Sequence, residues 1–182
     1  MSTTSPGTIH GSYRADPIHS SFGFAVRYMG VSTFRSTFSE VEATFTDEGG
    51  APRLEGRAKV ESINITAPAE FRAHVLSADF FDAESHPSIT FESTNVELDD
   101  DATARVEGEL TIKGITKPVT ANGTWQGDTP HAFGGERAAL QLEAKVDRTQ
   151  YDLNWNAPLP NGGKALEDEV TITIELNLVK ES

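Results

Sequence analysis

The five histidines are the side chains of this sequence best suited to proton transfer and metal binding, so they are the first candidates for chemistry. No two of them have the close spacing that places two ligands side by side on a strand or a helix. The sequence contains no cysteine, which removes thiolate nucleophiles and cysteine ligands as well. We therefore predict neither a metal site nor a cofactor at these residues, which are His10, His19, His74, His86 and His131.

A short segment brings together a carboxylate, an imidazole and a hydroxyl group, with the sequence Asp16-Pro17-Ile18-His19-Ser20. Three such groups in one extended turn cannot align as a nucleophilic relay. We expect Asp16 to accept hydrogen bonds from the backbone of the turn and His19 to add a side-chain bond. The chain is predicted not to be an enzyme. The catalytic alternative depends on Asp16, His19 and His74 as acid–base groups.

Charge argues against a nucleic-acid partner. The chain has 15 basic and 28 acidic residues, and its net charge of −13 opposes binding to a phosphate backbone or to an anionic lipid surface. The glycine pairs fall in turns rather than between a strand and a helix, so we expect no nucleotide site. Asp147 and Arg148 are interpreted as an exposed ion pair, and Lys113 and Lys117 as solvated side chains beside a hairpin turn.

Residues 1–11 are rich in Ser, Thr, Pro and Gly and contain no apolar run. We expect them to form a flexible segment without an export signal, which predicts a cytoplasmic protein. No later stretch approaches the roughly 18 apolar residues of a membrane-spanning helix. The remaining residues, 12–182, are predicted to form a single domain.

Period-two alternation of apolar residues dominates that domain. It is clearest over residues 169–180, where Val170, Ile172, Ile174, Leu176 and Leu178 share one face. Similar patterns predict about eight strands, over residues 22–28, 34–45, 54–65, 89–98, 104–112, 119–125, 138–146 and 169–180.

Alternation is lost over residues 67–82, where a short helix is predicted. Pro68 and Glu70 suit its first turn, and the helix should cover about 68–78. Its apolar residues would be Phe71 and Val75, followed by Phe80 and Phe81. A single helix among strands is expected to cap one end of the sheet structure.

Each predicted strand has one apolar face, and there is little helix to cover these faces. The apolar faces of the sheet must therefore pack against one another. A sandwich and a closed barrel both do this, but long strands joined mainly in sequence favour an all-β, up-and-down antiparallel barrel. An eight-stranded barrel either fills its lumen with side chains or keeps space for one small ligand. If it keeps space, the expected ligand-binding residues are Phe22, Phe24, Val26, Tyr28, Phe38, Phe80, Phe81, Ile89, Phe91, Leu110, Trp125, Leu140, Leu142, Trp155, Ile172, Ile174 and Leu176.

Three segments together resemble the YceI-like family of polyisoprenoid-binding proteins: DPIHSSFGF at 16–24, DFFD with HPSITF at 79–91, and GELTIKGITKPV at 108–119. Further likeness at 147–149 and 168–170 extends the match from about Tyr13 to Leu178. The sequence departs from the family at Leu76, where a basic residue is usual, and at Tyr28, where histidine is common. The resemblance implies a lipocalin-like barrel, often a homodimer, whose apolar pore accepts a long isoprenoid or related amphiphilic chain.

These observations predict a carrier or store for a long-chain isoprenoid or fatty lipid, either a polyprenyl chain or an isoprenoid quinone. Each buried methylene contributes about 0.8 kcal/mol, whereas association costs about 4–15 kcal/mol, so a long tail is needed. One alternative is an enzyme acting on an isoprenoid quinone. Another is a stress-related interaction module, in which Trp125, Trp155 and the phenylalanines would fill the lumen.

Overall fold

The computed structural model describes residues 6–182, in which strands account for most of the secondary structure. One α-helix, α1 (Ala69–Leu76), and two short 3-10 turns, Val60–Ser62 and Arg148–Tyr151, interrupt the strands in this part of the chain. The strand segments are β1 (Gly11–Ala15), β2 (Ser21–Tyr28), β3 (Ser32–Phe38), β4 (Val41–Glu48), β5 (Ala51–Lys59), β6 (Ser88–Leu98), β7 (Thr103–Ile112), β8 (Ile115–Pro130), β9 (Glu136–Asp147) and β10 (Leu166–Lys180).

All strand pairs are antiparallel, and the sheet closes on itself because β10 pairs with both β1 and β2. The segments β1 and β2 follow one another along β10, while β4 pairs with β1 and β3 pairs with β2. β1 and β2 therefore act together as one long, interrupted strand, and β3 and β4 act together as another. Counted in this way, the described chain forms an eight-stranded up-and-down barrel, which confirms the predicted fold.

The predicted continuous strand over residues 34–45 is wrong at Ser39 and Glu40, where β3 ends before β4 begins. The amide of Ser39 donates to the carbonyl oxygen of Ser62 at 2.9 Å, and the amide of Glu40 donates to Oγ of Ser62 at 3.0 Å. Because Ser62 takes both donors, neither amide extends the strand ladder.

The predicted side-chain phase of β10 is confirmed. Ile172 lies between Phe24 of β2 and Ala144 of β9, while Ile174 lies between Phe22 and Leu142. Ile172 and Leu176 are buried, whereas Thr173 and Glu175 are exposed. The apolar face of the sheet therefore points into the barrel.

One half of the barrel is packed solid. Tyr13, Phe45, Leu140 and Leu178 have no exposed surface there, and the rings of Tyr13 and Phe45 meet edge to face at 6.1 Å. We call this the filled half. It also receives the first described residues, because Gly127 and Asp128 of β8 donate backbone hydrogen bonds to Pro6 and Thr8. Of the predicted flexible segment 1–11, residues 1–5 lie outside the described part of the chain.

Helix α1 begins after Pro68, as predicted, and covers the opposite half. It ends at Leu76 because Ser77 is extended and donates from its amide and its hydroxyl to the carbonyl oxygen of His74. Phe80 and Phe81 consequently lie in turns that follow the helix. Within residues 6–182, no helix has the length and apolar character required to span a membrane.

Candidate functional site

The second half of the barrel, which we call the hollow half, contains a cavity of about 490 Å³. Its wall is made mainly by residues of β2, β3 and β10, and its cover is made by α1 and the segments around residues 80 and 155. Its lining consists of Phe22, Phe24, Val26, Tyr28, Ser32, Thr33, Phe34, Phe71, His74, Val75, Phe80, Phe81, Ile89, Ile112, Val146, Arg148, Tyr151, Leu153, Trp155, Leu166, Val170 and Ile172.

Aromatic rings stacked along one wall leave the centre of the hollow half open. The ring of Phe38 lies 5.6 Å from that of Phe22 and 6.0 Å from those of Phe24 and Phe81. Such tilted and edge-on contacts are favourable arrangements for aromatic pairs. The rings therefore pack against one another instead of reaching across the lumen.

A smaller void of about 40 Å³ continues the cavity toward the filled half. Phe22 and Ile89 line both spaces. The smaller void is also lined by Phe91, Leu110, Ile174 and Leu176. The two spaces therefore adjoin at Phe22 and Ile89.

Aromatic side chains cover the mouth of the large cavity. The imidazole of His74 lies 5.0 Å from the ring of Trp155 and 5.2 Å from that of Phe80, both edge to face. Its Nε2 lies 3.0 Å from Oδ2 of Asp79. On another side, the ring of Phe71 stands edge-on to that of Phe34 at 5.6 Å.

Arg148 places the one guanidinium among the lining residues, and its side chain is only 6% exposed. Nε donates to the carbonyl oxygen of Glu167 at 2.9 Å, and Nη1 donates to those of Leu153 and Trp155 at 2.6 and 2.8 Å. Burial lowers the pKa of Arg148, although Asp168, at 3.8 Å, acts in the opposite direction. The guanidinium thus holds the loop between the second 3-10 turn and β10 in place.

The predicted exposed pair of Asp147 and Arg148 is therefore wrong. Asp147 instead accepts from the amide and hydroxyl of Thr149 at 2.9 and 2.5 Å, which lowers the pKa of Asp147. The prediction that Lys113 is solvated is wrong as well. Its Nζ donates to the carbonyl oxygens of Ala78 and Asp152, so it joins the two segments that cover the mouth.

The other polar groups of the lining are the two phenols, one imidazole and two hydroxyl groups of Tyr28, Tyr151, His74, Ser32 and Thr33. Tyr151 is only 1% exposed, and burial followed by the nearby negative charge of Glu109 raises the pKa of Tyr151 to about 12. It is therefore a neutral phenol at ordinary pH. Ser32 and Thr33 add hydroxyl groups at the rim. The cavity is a mainly apolar chamber that contains a few polar groups, of which Arg148 and Tyr151 are buried.

Most of the predicted ligand-binding residues lie beside this space. The large cavity is lined by Phe22, Phe24, Val26, Tyr28, Phe80, Phe81, Ile89, Trp155 and Ile172, and the small void adds Phe91, Leu110, Ile174 and Leu176. Neither space is lined by Phe38, Trp125, Leu140 or Leu142, which are buried in the core. Contact of any of these residues with a ligand stays a prediction.

Several lining residues were not anticipated. Val146 and Val170 continue the apolar phase of β9 and β10, so the alternation could have indicated them. Arg148, Tyr151 and Leu153 follow β9 in irregular chain, where no periodic signal exists.

The predicted turn at Asp16 is confirmed, and it lines neither space. Oδ1 of Asp16 accepts from the amide of Ile18 at 2.8 Å, and Oδ2 of Asp16 lies 3.0 Å from Nδ1 of His19. Arg137 of β9 also donates to it at 2.9 Å. Bonds from His19, Ile18 and Arg137 hold the pKa of Asp16 well below its usual range. Of the three suggested acid–base groups, only His74 reaches the cavity.

Candidate metal ligands do not cluster in the described residues 6–182. No group of three or more His, Asp or Glu side chains there could hold a metal ion.

Comparison with known proteins identifies relatives over nearly the whole chain. The sequence model of the YceI-like domain matches residues 13–178. The protein YceI of Escherichia coli O157:H7 is 32% identical over 161 residues, which cover 86% of this chain and 81% of the relative.

Solved structures share the fold. BcnA of Burkholderia cenocepacia superimposes with a TM-score of 0.73 at 20% identity, covering 92% of this chain and 99% of the other. A polyisoprenoid binding domain from Saccharophagus degradans, implicated in plant cell wall breakdown, gives a TM-score of 0.69 at 13% identity, covering 94% and 100%. At these identities, the likeness concerns the barrel itself.

Proposed function

The chain belongs to the YceI-like family, and from that premise we propose that it binds a long isoprenoid lipid in the hollow half of its barrel, as a carrier or a store. The ligand would be a polyprenyl chain or an isoprenoid quinone. The observation that carries this proposal is the apolar cavity of about 490 Å³, a size typical of ligand sites.

The energetics favour a long tail. At about 0.8 kcal/mol for each buried methylene, roughly 5–19 methylenes only offset the association cost of about 4–15 kcal/mol. Tails that bury more carbon than this gain net affinity. The smaller void beyond Phe22 and Ile89 gives a tail a direction in which to extend.

The polar head of the ligand should contribute little affinity. Arg148, the cation of the lining, already donates to the carbonyl oxygens of Leu153, Trp155 and Glu167. A diphosphate at the mouth would have to compete with these carbonyl groups for the guanidinium. We therefore expect a polyprenyl alcohol to bind about as well as the corresponding diphosphate.

The proposal contains no catalytic step. His74 is the one suggested acid–base group at the cavity, and its imidazole packs edge-on against the rings of Phe80 and Trp155. A completely filled lumen, which the interaction-module alternative required, disagrees with the large cavity. The homodimer implied by the family resemblance stays a prediction.

The test is to fill the cavity. Ile172→Phe places a larger apolar side chain in the space, whereas Thr173→Phe places the same side chain on the outer face of β10. Binding of a long polyprenol should fall in Ile172→Phe and stay unchanged in Thr173→Phe. Native mass spectrometry and fluorescence displacement measure the binding, and thermal unfolding verifies that both variants fold.

A folded Ile172→Phe variant with undiminished affinity for the long polyprenol would contradict the proposed site. A short polyprenol serves as a second probe. It should bind weakly to all three proteins, because it buries too little carbon to exceed the cost of association.

A further inference from the structure

The hairpin formed by β2 and β3 carries an apolar tip at the mouth of the cavity. The connection has three residues, and Met29 and Gly30, with φ values of +55° and +70°, form the centre of a tight turn in which the amide of Val31 donates to the carbonyl oxygen of Tyr28 at 3.1 Å. Val31, beside this turn, is 79% exposed, and Tyr28 is 42% exposed. Tyr28 also lines the cavity, so the tip is continuous with the opening.

The charge of this hairpin is opposite to that of the protein. Residues 17–39 include Arg27 and Arg35 and no acidic residue, although the chain as a whole has a net charge of −13. Both arginines are exposed on the outer face of the hairpin. Nη2 of Arg27 donates to the carbonyl oxygen of Gly30 at 2.9 Å, which directs this guanidinium toward the tip.

A further exposed ring extends the apolar surface. Phe71 of α1 is 39% exposed and stands against Phe34 of β3. Tyr28, Val31 and Phe71 are three of the five large apolar side chains that the described residues leave exposed. An apolar rim flanked by arginines is typical of surfaces that lie in the headgroup region of a bilayer.

We propose that the tip of this hairpin, together with Phe71, docks on the surface of a bilayer that contains anionic lipids. The mouth of the cavity would then face the membrane, so that a lipid tail could enter without crossing water. The identity of the lipid that enters the cavity rests on the proposed function, but the docking itself does not. The partner is a lipid surface because two of the exposed apolar groups, Tyr28 and Phe71, also line the apolar cavity.

Charge also fixes the orientation of docking. The acidic remainder of the protein is repelled by an anionic surface, but this repulsion is screened beyond about 8 Å at physiological salt. The hairpin can therefore approach the surface. Glu70 beside Phe71 and Asp79 beside His74 also lie near the mouth and oppose this attraction, so docking depends on the apolar tip as well as on the arginines. A second copy of the chain fits this surface poorly, since a symmetric contact would bring each pair of arginines close to its counterpart.

The experiment measures sedimentation of the full chain with phosphatidylcholine vesicles, with and without phosphatidylglycerol. Val31→Asp puts a charge at the tip without changing a residue that lines the cavity. Phe133→Asp is the matched control, because Phe133 is 94% exposed on the turn between β8 and β9, at the filled half. We expect the unaltered protein and Phe133→Asp to bind the anionic vesicles, and Val31→Asp to lose binding.

Removing the arginines tests the electrostatic part. Arg27→Gln and Arg35→Gln should each weaken vesicle binding by about fivefold, the effect of one basic residue near an anionic surface. Added salt should also weaken the binding of the unaltered protein to the anionic vesicles. Equal loss of binding in Val31→Asp and Phe133→Asp would overturn the proposal, as would an unaltered protein that stays unbound.

Binding of polyprenol in the absence of vesicles separates the two proposals. Val31→Asp should keep the full affinity for this probe, because Val31 lies outside the cavity lining. Vesicle binding by a protein that captures no polyprenol would support docking and contradict the proposed function. If the unaltered protein formed dimers that Val31→Asp abolished, and bound no vesicles, the tip would be a contact for a second copy and the docking proposal would be overturned.

Discussion

The filled and hollow halves of the barrel are built from the same strands but use their apolar faces differently. Leu140 and Val146 lie on one face of β9, yet Leu140 is fully buried in packed core whereas Val146 lines an open space. In the filled half, Tyr13 and Phe45 face each other on the paired strands β1 and β4, and their rings meet edge to face with no exposed surface. In the hollow half, the rings stack along a wall and at the mouth.

The polar contacts of the two halves also differ. In the filled half, the hydroxyl of Tyr13 donates to Asp128 at 2.5 Å, and Lys180 donates to the same carboxylate at 2.9 Å. In the hollow half, Arg148 and Lys113 donate to carbonyl groups of irregular chain instead. Polar contacts in the filled half therefore join side chains to one another, whereas those in the hollow half hold the irregular chain that covers the cavity.

The largest expected effect comes from shortening one leucine in each half. Leu140→Ala removes a side chain with no exposed surface, and should lower the free energy of unfolding by about 2–5 kcal/mol. Leu166→Ala enlarges a cavity that already exists, and should cost about 2 kcal/mol, at the lower end of that range. Denaturant unfolding measures both. Equal losses would contradict the distinction between the halves.

A smaller effect is expected from Arg148. Arg148→Met leaves buried carbonyl groups without a donor and should lower the free energy of unfolding by about 1–3 kcal/mol. Arg148→Lys keeps the charge but not the planar set of donors. Hydrogen exchange should accelerate over residues 152–166 in both variants and stay slow around Leu140. Uniform acceleration would mean that Arg148 stabilises the whole barrel.

The smallest effect concerns Tyr151. Its pKa is raised to about 12 from an ordinary value of 10.0, so the folded protein favours the protonated phenol. This contribution to stability is complete below pH 10 and is lost as pH rises from about 10 to 12. Tyr151→Phe should make stability fall less steeply over that interval in alkaline unfolding experiments. An unchanged slope would show that Tyr151 is not the buried group that titrates.

Alternation predicted the barrel because it reports the direction in which side chains point. The apolar phase of Ile172 and Ile174 was therefore accessible from the sequence, as was the hydrogen-bonded turn at Asp16. The interruption between β3 and β4 was not, because it depends on Ser62, a residue distant in the chain.

The division into two halves was also beyond the sequence pattern. Leu140 and Ile172 carry the same signal, and whether space remains beside them depends on how rings from several strands stack. Arg148 gave a misleading signal, because the nearby Asp147 suggested an exposed pair. Its true partners are backbone carbonyl groups, which leave no trace in residue types.

β10 pairs with β9 along one edge and with β1 and β2 along the other, and this has a consequence for synthesis. The strands β1, β2 and β9 all need β10 as a partner, and β10 is the last strand of the barrel to be translated. Until it emerges from the ribosome, the nascent chain exposes two strand edges that could pair with other chains. Joining β1 to β10 also closes a loop of most of the chain, and such contacts are formed slowly. We therefore expect closure to be the late, aggregation-sensitive step of folding.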